Sequence, residues 1–262
     1  MNTDLKAQLP RRSFLKGGAL LASATALGFT GFFGLGRASA ADGDDVPTML
    51  KVAATAETFA CTHYFQALSS KIRWTTPQLA YIRAALEEEL IHLEFLNANG
   101  GDTLADKFYL PQGAFKTARS FGTVSSIAET VFVGAYLAAT RRFAELGNPL
   151  LAATAAQIAV VEGEHLALVR ETAQVLPNNI AYGEPKFFNV SDAVAVVQPI
   201  LDGKEGGLGP MEKEPVSFPG ADAIRKIIGK SQLTPVKPFT DTSLFAPASA
   251  TASATAEATS SK

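Results

Sequence analysis

Cysteine, histidine and excess positive charge are all scarce in this sequence. Among its 262 residues there is one cysteine, Cys61, which excludes an internal disulfide framework and a metal site built from several cysteines. The formal net charge is −2, and binding to a phosphate backbone needs a basic face. Nucleic acid is therefore not expected as a partner. The histidines number only three, so each can be weighed individually: His63, His92 and His165.

Positive charge is concentrated at the N-terminus, where the first 40 residues hold five of the 23 basic residues and one of the 25 acids. The pair Arg11-Arg12 precedes an apolar, glycine-rich run over 17–36, and small residues follow at 38–40. This order predicts a signal peptide over 1–40, and the paired arginines resemble the twin-arginine export signal. We expect export to the periplasm or the exterior without stable membrane insertion after cleavage. The alternative is an uncleaved anchor, since about 20 apolar residues can span a bilayer.

The remaining 222 residues carry 18 basic and 24 acidic side chains, a net charge of −6, and are long enough for one good core. Helical periodicity dominates from 46 to 176, without strand-like alternation. The second helix is predicted to begin with Thr76 as N-cap and Pro77 at its first position, and the fourth with the turn Asn148-Pro149. The four predicted helices span 46–70, 76–99, 124–147 and 149–177.

The connections between these helices predict the topology. Helices one and two are joined by a short link, and so are helices three and four, so each pair is expected to form an antiparallel hairpin. About 23 residues, 100–122, lie between the hairpins and can run the full length of a helix. We therefore predict an all-α protein with a four-helix bundle over 46–176. A Pro- and Gly-rich extension with short helices follows over 177–247, and a disordered Ala/Ser/Thr tail over 248–262.

Each predicted helix places one acid on its apolar stripe. Taken at 100° per residue, these acids share a face with residues such as Tyr64, Leu86, Phe132 and Ile158. A bare charge in such a position costs several kcal/mol unless something compensates it. Four such charges in one bundle indicate a shared partner of opposite sign. The acids are Glu57, Glu89, Glu129 and Glu162.

The spacing of two histidines indicates that this partner of opposite charge is a metal. Glu89-Leu-Ile-His92 and Glu162-Gly-Glu-His165 are both Glu-x-x-His motifs, and residues at i and i+3 lie one above the other on a helix. Four carboxylates and two imidazoles projecting inward form the ligand set of a carboxylate-bridged dinuclear site. Two divalent cations would balance the four negative charges. Mostly oxygen ligands with one imidazole per ion favour two Fe or Mn ions over Zn or Cu.

An internal repeat supports the same site. Ala56-Glu57-Thr58 recurs as Ala128-Glu129-Thr130, and a tyrosine, Tyr64 or Tyr136, follows the glutamate by seven residues in both copies. The step to the glutamate of the Glu-x-x-His motif is 32 residues in one copy and 33 in the other. Two hairpins with this repeat are expected to pack with pseudo-twofold symmetry and to place two metals symmetrically.

The order Glu, Glu-x-x-His, Glu, Glu-x-x-His resembles rubrerythrin and the wider ferritin-like superfamily. The exported form with a Pro-rich extension is most similar to the ferritin-like domain family that includes desiccation-related proteins. This resemblance covers about half of the chain and implies a ferritin-like bundle with metal ligands at Glu57, Glu89, His92, Glu129, Glu162 and His165. Rubrerythrin's extra carboxylate on the third helix and its Cys-x-x-Cys module have no counterpart in the sequence.

Two tyrosines are the candidate catalytic residues. Tyr64 and Tyr136 lie on the faces of Glu57 and Glu129 and could donate hydrogen bonds to carboxylate ligands or supply electrons. The alternative is ordinary core packing with the hydroxyl satisfied.

Several other polar residues are assigned ordinary roles. His63 is about 120° from the face of Glu57 and is predicted to lie on the surface or between helices, and Cys61 is predicted to be a small buried residue. The acids that point away from the stripe are predicted to be solvated. These acids are Glu87, Glu88 and Glu164.

We expect an exported dinuclear iron or manganese protein whose small-molecule substrate is O₂ or peroxide, in oxidative or desiccation stress. As an enzyme it would be an oxidoreductase of the ferroxidase, peroxidase or catalase type. The rival hypothesis is a non-catalytic protein in which the metal only stabilises the bundle. Assembly into a homo-oligomer is left open by the sequence.

Overall fold

Four long helices make up most of the structure, a computed structural model that describes residues 43–245. They are α1 (Val46–Ser69), α2 (Thr76–Ala98), α3 (Ala118–Glu145) and α4 (Pro149–Thr172). The short connections join α1 to α2 and α3 to α4 as hairpins, and α1 also packs on α3 and α2 on α4. The predicted all-α bundle of two hairpins with a long crossover is confirmed. The predicted signal peptide and the predicted tail lie outside the described residues.

Local capping interactions explain where the helices begin. Asp45 accepts a hydrogen bond from the backbone N–H of Thr48 at 2.8 Å, which satisfies one of the free donors at the start of α1. Asn148 serves as N-cap of α4, as predicted. The predicted N-cap of α2 was wrong by one residue, because Thr75 forms the capping box with Gln78.

The start of α3 was also predicted too late in the sequence, by more than one residue. The helix begins at Ala118, with Thr117 and Ser120 forming its capping box, so Gly122 lies inside the helix rather than before it. This glycine allows close helix packing. A Cβ at position 122 would lie 2.5 Å from the carbonyl oxygen of Val169 and 2.6 Å from the backbone nitrogen of Ala173. The backbones of α3 and α4 can therefore approach one another here only without a side chain.

The crossover and the C-terminal extension pack on the bundle together. Strand β1 (Lys107–Phe108) pairs antiparallel with β2 (Val216–Ser217), in the register Lys107 with Ser217 and Phe108 with Val216. A 3₁₀ helix (Val190–Ala193) runs into the short helix α5 (Val194–Asp202), and α6 (Ala221–Ile228) packs on α2. The last element among the described residues is a second 3₁₀ helix (Thr242–Phe245).

The hydrophobic core runs along the bundle and continues under the extension. Phe59 of α1 and Phe132 of α3 are buried together with Phe108, Ile200 and Met211 from the crossover and the extension. Among the described residues, only α3 has the length and composition of a membrane-crossing helix, and most of that stretch is buried inside the bundle. This cluster packs the crossover and the extension against α1 and α3.

The close approach of α3 and α4 yields a matched pair of glycine substitutions. Gly122→Ala should lower the free energy of unfolding by about 1–3 kcal/mol, because the new methyl group meets backbone atoms that cannot move aside. Gly163→Ala on α4 meets nothing within 4 Å and should raise stability by up to about 1 kcal/mol through helix propensity. Urea unfolding of the two variants measures both effects. Equal changes would contradict the packing role of Gly122.

Candidate metal centre

The four helices of the bundle bring one buried glutamate each to a common point. Every one of these carboxylates is at most 1% exposed, and the two histidines of the Glu-x-x-His motifs are 2% and 6% exposed. The residues on α1 and α3 contribute only an acid, while those on α2 and α4 contribute an acid and an imidazole. All six residues predicted as ligands lie here: Glu57, Glu89, His92, Glu129, Glu162 and His165.

The six side chains form two overlapping groups of four. In each group the candidate ligand atoms lie within 4.8 Å of one another. Glu89 and Glu162 belong to both groups, whereas the other members belong to one group only. The first group adds Glu57 and His92, and the second adds Glu129 and His165.

The two shared glutamates turn a different oxygen toward each group. Oε1 of Glu89 lies 3.2 Å from Nδ1 of His165, and its Oε2 lies 3.7 Å from Nδ1 of His92. Glu162 has the complementary arrangement, with Oε1 3.2 Å from Nδ1 of His92 and Oε2 3.2 Å from Nδ1 of His165. A carboxylate oriented in this way can bridge two cations.

The outer glutamates are each held by a tyrosine of the opposite hairpin. Tyr64 on α1 donates a hydrogen bond to Oε1 of Glu129 on α3 at 2.5 Å, and Tyr136 on α3 donates one to Oε1 of Glu57 on α1. Burial, followed by the nearest carboxylate's charge, raises the pKa of both phenols well above the ordinary value. Both hydroxyls therefore stay protonated, and each leaves the second oxygen of its glutamate buried and without a hydrogen-bond partner.

Unpartnered atoms test whether these residues fit a metal. Buried oxygens without a hydrogen-bond partner belong to all four glutamates, and Nδ1 of His92 is also without one: Glu57 Oε2, Glu89 Oε1 and Oε2, Glu129 Oε2 and Glu162 Oε1. Leaving buried polar atoms unpaired costs about 1–3 kcal/mol each, and more for charged groups. Oxygen atoms and one imidazole nitrogen per group match the ligands that iron and manganese take. The residues fit a pair of divalent cations.

The pKa values of the carboxylates reflect their burial and their close approach to one another. Burial, followed by the charge of Glu89, raises the pKa of Glu57 and of Glu129 well above the ordinary value for glutamate. Burial acts in the same direction on Glu89, but its close contacts with Glu57, His165 and His92 outweigh it and lower the pKa. The carboxylates therefore cannot all ionise beside one another unless positive charge lies among them.

The histidines respond in the opposite way. Burial lowers the pKa of His92, but its close contacts with Glu162 and Glu89 outweigh that effect and raise the pKa to about 9. The pKa of His165 is raised well above its ordinary value, because contacts with Glu162, Glu88 and Glu89 outweigh its burial. Metal binding here must therefore displace protons from the imidazoles.

Sequence reasoning missed Glu88. It was expected to be solvated, but its Oε2 lies 2.8 Å from Nε2 of His165, and the side chain is only 28% exposed. The prediction considered only the angle between Glu88 and the apolar stripe of α2. It could not foresee that α4 covers the face of α2 on which Glu88 lies. Glu164, in contrast, is exposed as predicted.

His63 is a buried inter-helix residue and not a surface one. Its ring stacks on Phe121 with 4.9 Å between centroids, and its Nε2 lies 2.9 Å from Oγ of Ser125 on α3. Burial lowers its pKa to about 4, and the charge of Glu89 opposes the shift only partly. Cys61 is fully buried, as predicted.

Comparison with known families now identifies the bundle. The family model described as a ferritin-like domain matches residues 45–175, which is the stretch that contains α1 to α4 and all six clustered residues. The chain belongs to the ferritin-like domain family. No match was found among curated proteins or among solved structures. The similarity to desiccation-related members stays a prediction.

The burial of His63 predicts a specific acid sensitivity of this ferritin-like domain. Between pH 6.5 and pH 4 the unfolded chain binds a proton at this residue that the folded chain does not bind. Stability should therefore fall as the pH falls, by up to about 1.4 kcal/mol per pH unit from this residue. His63→Gln keeps a partner for Ser125 without titrating, so its pH dependence should be shallower by that amount. Urea unfolding at several pH values measures the difference, and parallel curves would contradict the assignment.

Proposed function

We propose that this protein is an exported dinuclear iron or manganese protein that reacts with O₂ or hydrogen peroxide and protects against oxidative or desiccation stress. The observation that carries the proposal is the pair of overlapping ligand groups with two shared glutamates. Two adjacent redox-active ions of this kind can supply two one-electron equivalents to one substrate molecule. Export is supported by the paired arginines Arg11-Arg12 ahead of an apolar run.

Each role in the proposed centre can be assigned to a residue of this chain. Glu89 and Glu162 would bridge the ions, and Glu57 with His92, or Glu129 with His165, would complete one coordination group each. These roles follow the arrangement of the two groups. The surrounding apolar side chains exclude bulk water, which strengthens every charge interaction inside the bundle.

The two tyrosines serve the centre by orienting ligands. Tyr64 and Tyr136 hold Glu129 and Glu57 from the opposite hairpin, so each outer carboxylate is fixed before a metal binds. Because the phenols are buried and hydrogen-bonded to the carboxylates, they are also oxidisable side chains in direct contact with the centre. We therefore propose them as the residues that hold the ligands and supply electrons during turnover.

An apolar crevice offers a path for a small uncharged substrate. It lies between α1, α3 and the start of the extension, and Tyr136 forms part of its wall with side chains such as Val52, Val131 and Val197. The hydroxyl of Tyr136 contacts Glu57, so this wall residue also contacts the cluster. Such a lining suits O₂ better than a charged substrate.

The proposed metal site should couple metal binding to stability. At a free Mn²⁺ concentration 100 times the dissociation constant, each occupied site should raise the free energy of unfolding by about 2.7 kcal/mol. The double variant Glu89→Gln, Glu162→Gln removes both bridging charges and should show no such gain. Thermal unfolding with and without Mn²⁺ measures the effect. A wild-type midpoint that does not respond to Mn²⁺ or Fe²⁺ would contradict a metal site.

The reaction itself is tested on purified, metal-loaded protein given hydrogen peroxide or Fe(II). The double variant Glu89→Ala, Glu162→Ala should evolve O₂ or oxidise Fe(II) more slowly by at least about 100-fold, because loss of supporting residues alone costs 10–100-fold at metal sites. The matched control Glu87→Ala, Glu164→Ala removes two neighbouring acids outside the two ligand groups and should keep its activity. Equal rates in the wild type and the bridging variant, with the metal bound, would leave only the structural role.

A further inference from the structure

The two histidines of the centre differ in what their outer nitrogens contact. Nε2 of His165 on α4 lies 2.8 Å from a carboxylate oxygen of Glu88 on α2. Across the part of the chain that the structure describes, every ion pair of His92 is made through Nδ1 and no further acid pairs with its Nε2; its side chain is 8% exposed, against 1% for His165. Only His165 therefore has a carboxylate at the ring nitrogen that faces away from the cluster.

The contact with Glu88 selects one tautomer of His165. An ionised carboxylate can only accept, so Nε2 carries the hydrogen and donates it. When the ring gives up its second proton, the lone pair is therefore left on Nδ1, which lies 3.2 Å from both Glu89 and Glu162 and 3.9 Å from Glu129. A carboxylate behind a ligating imidazole fixes the ring orientation and increases the basicity of the ligating nitrogen.

The internal repeat shows that the difference is confined to one position. Glu88 immediately precedes the glutamate of the first Glu-x-x-His motif, and Val161 occupies the same place in the second. The other supports are duplicated, since each group has two shared glutamates and one outer glutamate held by a tyrosine. Val161 cannot accept a hydrogen bond from His92 on the facing helix.

We infer that Glu88 makes the two metal positions unequal, so that the position formed with His165 and Glu129 binds a divalent cation first and more tightly than the position formed with His92 and Glu57. Glu88 is thus a positioning residue that acts through His165. This inference rests on the proposed metal centre. It adds an order of filling, in which the weaker position exchanges its metal while the tighter one stays occupied.

A metal titration of the full chain tests the order of filling. Calorimetry with Mn²⁺ should resolve two steps in the wild-type protein, with dissociation constants that differ by about 10-fold or more. Glu88→Gln keeps the size of the side chain but removes its charge, and it should weaken the tighter step by about 10–100-fold while the weaker step keeps its constant. Glu87→Gln, one residue away and half-buried, is the matched control and should keep both constants.

A variant that gains affinity distinguishes the positioning role of Glu88 from a general loss of helix packing. Val161→Glu places the missing carboxylate behind His92 and should tighten the weaker step toward the tighter one. Two equal steps in the wild type, or unchanged constants in Glu88→Gln, would overturn the inference and leave the metal centre standing. Absence of any Mn²⁺ or Fe²⁺ binding by the wild type would overturn both. If Val161→Glu does not fold, the comparison of Glu88→Gln with Glu87→Gln decides.

Discussion

The structure depends on one electrostatic constraint, the presence of four carboxylates in an apolar interior. Each of these glutamates is removed from water, and the desolvation of a single ion costs several kcal/mol after relaxation. The imidazoles and the two phenols satisfy only some of the oxygens, and five oxygens remain without a partner. A pair of cations is the simplest group that compensates all of them at once. Occupation of the site would therefore also stabilise the bundle.

Contacts between the two hairpins hold these charged side chains in place. Tyr64 reaches from the first hairpin to Glu129 in the second, and Tyr136 reaches back to Glu57. Gly122 lets α3 and α4 pack with their backbones in contact, and the extension covers the apolar faces that the bundle leaves open. The protein itself therefore holds the outer glutamates in place, as a preorganised site requires.

Much of the site could be predicted because its signals lie within single helices. Glu89 and His92 are three residues apart, so helix geometry alone places them on one face, and the repeat relates them to Glu162 and His165. Glu88 could not be assigned in this way, because its environment depends on which helix covers the next face of α2. The sequence left open whether His63 lies on the surface or between helices for the same reason, since Phe121 of α3 packs against it.

The sequence by itself determined the number of helices, their pairing into hairpins and the six side chains that point inward, because these follow from periodicity and loop length. The tertiary structure alone decided that Glu89 and Glu162 are shared by two groups, that each tyrosine holds the glutamate of the opposite hairpin, and that Glu88 supports only one histidine. The physical reason is that these are distances between helices, and the periodicity of one helix carries no information about the rotation and depth of its neighbour.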